Sequence, residues 1–477
     1  MDPFHPRDAD HPALEWDGGA LTYGELAARA ARLADAWRAR GAAPGDRIAL
    51  WLPNGQEFVV AWLACRQLGL VAVPIGDRWA PDEAAWAVAL TRPALGVAPD
   101  GRADQLPATE RAPFGGSAAR HDRREGAAET PAQILFSSGT TGRPKGVALS
   151  VANVAFVRRA KVAALGLTPA DRVPLIVPLA HCYGLNAILG PALSAGATVL
   201  LRNGLPEGGG AAWLRERRAT VLCGVPGTFD RLVQEGDVGL PSLRLAFAAA
   251  APLTADVTTR WRQATGHAIR QGYGLTETAP FATWEGDPLA HPGSVGRPIP
   301  GVALRTVDPE TGRPMPAGLP GEVQVRGPNV MLGYWDDPAA TAGAMDGPWL
   351  RTGDVGYLER DGRLYLTGRL KEMINVNGLK AWPAEVERVL ADHPAVAEAA
   401  AFGVPDPRTG ERVEAAVVAR ADGAGLADRL LAHARARLAP HKVPRRIHLL
   451  PALPRTPTGK VRRTDLATAL STPPTQP

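Results

Sequence analysis

Leu26, Ala30, Leu33 and Trp37 recur at helical spacing behind Thr22 and Glu25, a pair that fits a capping box, and Gly41 can end the run. An amphipathic helix is therefore predicted there. Short apolar runs of strand length follow: RIALWL, VAVPI, QILFS, RVPLIV, ATVLL, TVLCGV and LRLAFAA. Helical patterns such as TADVTTRWRQATG lie between several of them. Apolar runs interleaved with helices are what parallel strands covered on both faces require. Ligands in such sheets belong in the loops beyond the strand ends.

The texture changes twice along the chain. After Pro298, alternating strands and turn dipeptides predict a β-rich subdomain. After Gly368, Pro383 opens a short helix with Val386, Val389 and Leu390 on one side; strands are predicted near 396–403 and 413–419 and a helix near 426–438. The expectation is an α/β protein. A large N-terminal domain of helix-covered sheets with the β-rich subdomain spans 1–370, and a small mobile α+β domain spans 371–477. Residues 100–131 read as a polar surface connection and STPPTQP as a disordered tail.

Composition narrows the function. The chain has 477 residues, too many for one ordinary core. It is 45% hydrophobic and 21% charged, which excludes a wholly disordered chain. No apolar run reaches the roughly 18 residues that span a bilayer, and the polar start MDPFHPRDAD does not read as a secretory signal. Cys65, Cys182 and Cys223 lie far apart with no CxxC pattern, so neither a zinc site nor a disulfide framework is indicated and a cytoplasmic location is expected. The net charge of +5 does not point to nucleic acid. From Arg429 to Arg463, however, Arg and Lys recur with no Asp or Glu. This run reads as a solvated surface or as a positive rim for a polyanionic ligand or acidic partner.

The strongest local chemistry follows the run QILF: Ser137, Ser138, Gly139, Thr140, Thr141, Gly142, Arg143, Pro144, Lys145 and Gly146. The glycines let backbone N–H groups turn inward, and four hydroxyls and Lys145 add donors. Such a loop can wrap a polyphosphate, and it is not a Walker A motif because no G-K-[ST] ends it.

This segment resembles the phosphate loop of the adenylate-forming superfamily, which includes AMP-forming acyl-CoA synthetases, peptide-synthetase adenylation domains and firefly-type luciferases. Four further segments match in the family's order: Tyr273–Glu277 (YGLTE), Trp349–Asp354 (WLRTGD), Gly368–Glu372 (GRLKE) and Pro454–Lys460 (PRTPTGK). The resemblance covers nearly the whole chain. It implies two half-reactions: a carboxylate attacks the α-phosphate of ATP to give an acyl-adenylate and pyrophosphate, and a thiol then displaces AMP.

The resemblance also implies roles. The 137–146 loop would hold the phosphates that leave. Tyr273 would stack on adenine, with Ala250, Ala251 and Pro252 covering the other face. Thr276 would reach the α-phosphate, and Glu277 would hold Mg²⁺, a hard ion that takes oxygen ligands. Asp354 would accept from both ribose hydroxyls, and Arg369 would touch ribose or phosphate. Lys460 would bridge the carboxylate and the α-phosphate, offsetting their repulsion. Lys371 would be the hinge about which the C-terminal domain swings. That swing would bring the strand around Val376–Trp382, with Gly378 and Leu379, to the thiol side.

The acid pocket is implied less sharply. His181, in the segment Pro178–Gly184, would gate the carboxylate; Cys182 beside it reads as a buried filler. Small apolar residues at 247–251, Gly272 and Ala279–Phe281 favour a neutral acid, a medium or long fatty acid first and an aryl acid as the alternative. The stretch 378–387 looks like acyl-CoA synthetases, so CoA is the expected thiol, with a carrier protein as its rival. A catalytically silent nucleotide-binding protein is the reading from another class; intact Lys460, Glu277 and Asp354 speak against it.

Overall fold

The computed structural model of the chain describes residues 8–98, 129–137, 144–420, 425–455 and 461–470. The expected connection at 100–131 therefore falls almost entirely outside the described residues, as does the tail STPPTQP. By its internal contacts the chain divides into two compact units, 1–304 with 325–350, and 305–324 with 351–477. The chain crosses between them within the strands Ala303–Val307, Gly321–Arg326 and Trp349–Leu358.

The first unit carries three sheets built on the apolar runs. One has six strands in the order Gly333–Tyr334, Lys145–Ser150, Pro131–Ser137, Val71–Pro74, Arg47–Leu50, Leu95–Val97. Its last four strands are parallel, while the hairpin partner Lys145–Ser150 and the short strand Gly333–Tyr334 join antiparallel. A second sheet orders Gly19–Thr22, Pro12–Trp16, Thr198–Leu201, Arg172–Leu175. A third is wholly parallel: Val221–Gly224, Leu245–Ala248, Ile269–Gln271. Arg47–Leu50 and Val71–Pro74 are almost wholly buried, which is why they read as continuous apolar runs.

The first helix is Tyr23–Ala39, with Thr22 accepting from the Glu25 amide and Glu25 returning a bond to the Thr22 amide. It buries Leu26, Ala30, Ala34 and Trp37, so Ala34 takes the inward place that the spacing gave to Leu33.

In the second unit the sheet orders Leu379–Ala381, Ile374–Val376, Gly410–Ala419, Val396–Asp406, with Arg446–Leu449 parallel to Gly410–Ala419. The helices Pro383–Ala391 and Leu426–Arg435 close over it, burying Val386, Leu390, Leu426 and Leu430. Val396–Asp406 and Gly410–Ala419 run longer than the sequence pattern predicts, because they stay paired with each other from Val404 opposite Arg412 to Asp406 opposite Gly410.

Candidate active site

The strands Pro131–Ser137 and Lys145–Ser150 pair with Ser137 opposite Lys145. The two strands that flank the glycine- and hydroxyl-rich segment are therefore antiparallel partners. Ser138, Gly139, Thr140, Thr141 and Gly142 lie outside the described residues. At the hairpin mouth, Lys145 Nζ sits 4.6 Å from the ring centroid of Tyr334. The Tyr334 hydroxyl donates to Glu277 Oε1 at 3.0 Å, and the Met331 amide donates to the Glu277 carbonyl at 2.9 Å. Burial and the Glu277 charge push the Tyr334 phenol up, so it stays a donor. One ring thus links the loop lysine to the acid of the YGLTE segment. Sequence reasoning missed Tyr334; it stands 57 positions from Glu277, and only sheet pairing to Val147 brings it back.

Glu277 belongs to the one-turn 3₁₀ segment Thr276–Thr278, which also carries Thr276. Thr278 Oγ1 accepts from the Leu275 amide at 2.8 Å, fixing the turn that presents both side chains. Among the described residues no cluster of three or more His, Cys, Asp or Glu forms an all-protein cage. A single half-buried carboxylate with one oxygen already engaged fits Mg²⁺, which takes one or two carboxylates and leaves the remaining positions to phosphates and water.

Tyr273 is 8% exposed. Its amide donates to Thr283 Oγ1 at 3.0 Å and its carbonyl accepts from Ala282 and Thr283. The flanking glycines are obligatory for close approach: a Cβ on Gly274 would lie 2.2 Å from the Pro280 carbonyl oxygen, and one on Gly272 would lie 2.7 Å from that of Thr283. Ala250, Ala251 and Pro252 follow the parallel strand Leu245–Ala248, at the strand end where ligands bind in such sheets. Ala250 holds φ 71° and Ala279 φ 63°, left-handed values that a Cβ disfavours by about 1–2 kcal/mol. Such strain concentrates at functional loops.

His181 is half-buried and its Nδ1 accepts from the Tyr183 amide at 3.2 Å, which puts the proton of a neutral imidazole on Nε2. It precedes a π-helical stretch, Tyr183–Leu189, a wide turn frequent at functional sites. Cys182 is buried, accepts from Asn186 Nδ2 at 3.6 Å, and its thiol is pushed up by burial and by Glu277. Cys65 is pushed up by burial too, and Cys223 to about 11. None of the three is poised as a nucleophile.

In the second unit, register places Asp354 opposite Arg369 on the antiparallel strands Trp349–Leu358 and Leu364–Arg369. Arg369 Nε is 2.7 Å from Asp354 Oδ1. The Asp354 amide donates to Thr352 Oγ1, and Gly353 turns at φ 67° with its amide on Glu322. Two residues that the motifs list separately thus form one ion pair. Lys371 lies exposed in the 3₁₀ turn Leu370–Glu372. Gly378 and Leu379 sit at the tip of the hairpin joining Ile374–Val376 to Leu379–Ala381, with Asn377 and Gly378 both left-handed. The Gly378 amide donates to Asn375 Oδ1 at 2.9 Å, and Leu379 is 53% exposed. Lys460 lies outside the described residues.

The basic run is less free than its sequence implies. Arg463 grips Glu372 and Glu387, Lys442 grips Glu385, Arg455 grips Glu398 and Arg462 reaches Asp465. Acids from elsewhere in the unit, or just beyond the run, neutralise part of what the linear count left positive.

The family model for AMP-binding enzymes matches residues 5–335, and the model for the AMP-binding enzyme C-terminal domain matches 385–460. The chain is 36% identical to a feruloyl-CoA synthase of an Amycolatopsis species, over 94% of each chain. It is 35% identical to an indoleacetate–CoA ligase of Aromatoleum aromaticum, over 95% of this chain and 94% of that one. ATP-bound MatB from Rhodopseudomonas palustris superposes with a TM-score of 0.90 at 31% identity, covering 98% of this chain and 97% of that one. With both family models matched and the five motifs in order, the chain belongs to the AMP-binding enzymes of the adenylate-forming superfamily and is an AMP-forming acid–thiol ligase.

Proposed function

We propose that the acid is aromatic and the thiol is CoA. The observation that carries the first half is the wall beside the YGLTE turn. Phe247 stacks on Trp284 with ring centroids 5.5 Å apart and 27° between planes, and it tilts onto Tyr183 at 6.3 Å. This aromatic cluster, with a feruloyl-CoA synthase and an indoleacetate–CoA ligase among the relatives, supports a flat ring over a flexible alkyl chain, which loses rotamer entropy on ordering. The fatty acid favoured by the sequence remains the second reading, supported by the small residues at 248–251.

The chemistry follows from charge. A carboxylate repels the α-phosphate and is a poor electrophile. Attack by a carboxylate oxygen on the α-phosphorus forms the acyl–phosphate bond and breaks the bond to pyrophosphate. Attack by the CoA sulfur on the acyl carbon then forms the thioester, breaks the bond to AMP and releases the thiol proton. Charge moves over phosphate oxygens, so positioning and electrostatics carry most of the rate.

Each residue has a task in this reading. Lys145 and the hairpin loop would bind the departing phosphates. Glu277, its carboxylate oriented by Tyr334, would hold Mg²⁺, which neutralises phosphate charge when bound. His181 would present Nε2–H to the acid, and Lys460 would bridge the two anions. Asp354 would accept from the ribose while Arg369 fixes its other contacts. Lys371 and the 370/371 boundary would be the pivot that exchanges Lys460 for the hairpin of Gly378 and Leu379.

The test is acid-dependent ATP–pyrophosphate exchange over aryl, fatty, dicarboxylic and amino acids, followed by AMP release with CoA or a phosphopantetheinylated carrier protein. Aryl acids and CoA are expected to give the highest turnover. Exchange confined to alkyl acids would remove the aryl reading, and turnover with the carrier alone would remove CoA.

A further inference from the structure

The helix Val151–Leu165 turns an apolar stripe inward: Val154, Val157 and Leu165. Lys161 stands in that stripe, four residues after Val157 and four before Leu165. It is 1% exposed, among the largest fully buried side chains of the protein. Its Nζ lies 3.6 Å from the ring centroid of Phe247 and 4.0 Å from that of Phe281. Among the described residues neither a hydrogen-bond acceptor nor a carboxylate engages it. The other titratable group it faces is Cys223, whose thiol burial keeps protonated.

A buried ammonium held by ring faces alone is poorly compensated. Aromatic quadrupoles return only part of the hydration an ammonium loses. Burial accordingly pulls the Lys161 ammonium down to about 7. A methionine would fill the same space without that cost. The amine therefore has capacity for an acceptor that the described residues do not supply.

The surroundings identify where that acceptor would come from. A Cβ on Gly272 would lie 3.1 Å from Phe247 Cζ, so the Phe247 ring abuts the residue before Tyr273. Phe281 follows Glu277 by four positions, and Tyr183, two positions after His181, tilts onto Phe247. Lys161 is thus one ring away from each segment implicated in handling the acid.

We propose that Lys161 determines acid specificity by donating a hydrogen bond to an oxygen substituent at the end of an aryl acid remote from its reacting carboxylate. The incoming oxygen takes the place of one of the two ring faces at Nζ. A phenolic hydroxyl and a second carboxylate share this acceptor chemistry. The inference rests on the aryl-acid reading above and adds the residue that ranks acids within that class.

The experiment uses the full chain and its Lys161→Met variant in acid-dependent ATP–pyrophosphate exchange. The acids are cinnamate, 4-hydroxycinnamate and 4-carboxycinnamate. Wild type is expected to favour an oxygen-bearing acid over cinnamate by about 10- to 100-fold in kcat/KM, the range that one buried hydrogen bond made or left unmade gives. Lys161→Met should erase that ratio through KM while retaining exchange with cinnamate. Whether the hydroxyl or the carboxylate arm carries the Lys161-dependent gain identifies the group. A wild type without the preference, or a folded variant that keeps it, overturns the proposal while leaving the aryl-acid reading standing. Should the methionine variant fail to fold, Lys161→Gln, which keeps a donor without the charge, is expected to give an intermediate ratio, and an unchanged ratio there overturns the proposal equally. No exchange with any of the three acids, when alkyl acids do exchange, removes the aryl-acid reading and this inference with it.

Discussion

Replacing Tyr334 by Phe removes one oxygen atom and leaves the ring. The lost interaction is the 3.0 Å bond from the phenol to Glu277 Oε1. A hydrogen bond to a charged group contributes about 1.5–3 kcal/mol. Tyr334 and Glu277 are both half-buried, so water replaces part of the loss and about 1–2 kcal/mol is expected. At 1.36 kcal/mol per decade this is about a 5- to 30-fold fall in the rate of adenylate formation. The contact of Lys145 Nζ with the ring, at 4.6 Å, survives. Tyr334→Ala loses that contact as well, at a further cost of about 0.5–1 kcal/mol. The assay is ATP–pyrophosphate exchange titrated with Mg²⁺, because a carboxylate freed to rotate is a poorer ligand and the half-saturating Mg²⁺ concentration should rise. Thioester formation from supplied acyl-adenylate should change little. If Tyr334→Phe exchanged at the wild-type rate with an unchanged Mg²⁺ dependence, the link from Tyr334 through Glu277 to phosphate chemistry would be refuted.

Three further outcomes are expected. Lys460→Ala should nearly abolish adenylate formation yet spare thioester formation from supplied acyl-adenylate; equal loss of both steps would contradict a lid that uses Lys460 in one orientation alone. Asp354→Ala strands Arg369, its partner at 2.7 Å, and should raise the KM for ATP about tenfold or more with the acid ranking preserved; a changed acid ranking with normal ATP affinity would place Asp354 elsewhere. Burial opposes ionisation of Asp171, but hydrogen bonds from Arg244, Thr220 and Thr168 outweigh it and hold its pKa below the ordinary carboxylate value. The folded pKa is depressed, so the stabilisation is complete above the unfolded value near 3.8 and is lost as pH falls through the folded one. Asp171→Asn should therefore lower the melting temperature at neutral pH and flatten its decline in acid, as scanning calorimetry would report.

The chemistry was legible in the sequence to the extent that it is written in contiguous residues. The YGLTE turn carries its glycines because the backbone there passes within contact distance of another segment, and such needs are local. Gly274, where a Cβ would lie 2.2 Å from the Pro280 oxygen, is an instance spanning only six positions. Tyr334 was not legible: nothing within its neighbourhood distinguishes a phenol that orients a carboxylate from one that fills a sheet edge. Lys161 was not legible either: a lysine among apolar positions is equally a snorkelling surface residue, and only packing buries it.

The sequence by itself determined the alternation of strands and helices, because periodicity, capping and turn chemistry act over a few residues, and the order of five motifs, whose resemblance to the adenylate-forming superfamily implies the class of reaction. Tertiary structure alone decided the antiparallel pairing of the strands that flank the phosphate loop, the register that pairs Asp354 with Arg369, and the acids that neutralise part of the basic run. It also decided that Lys161 lies between two aromatic faces. These depend on which distant segments share a sheet or a core. Burial and electrostatic partners are set by that packing and by no property of the residue or its chain neighbours.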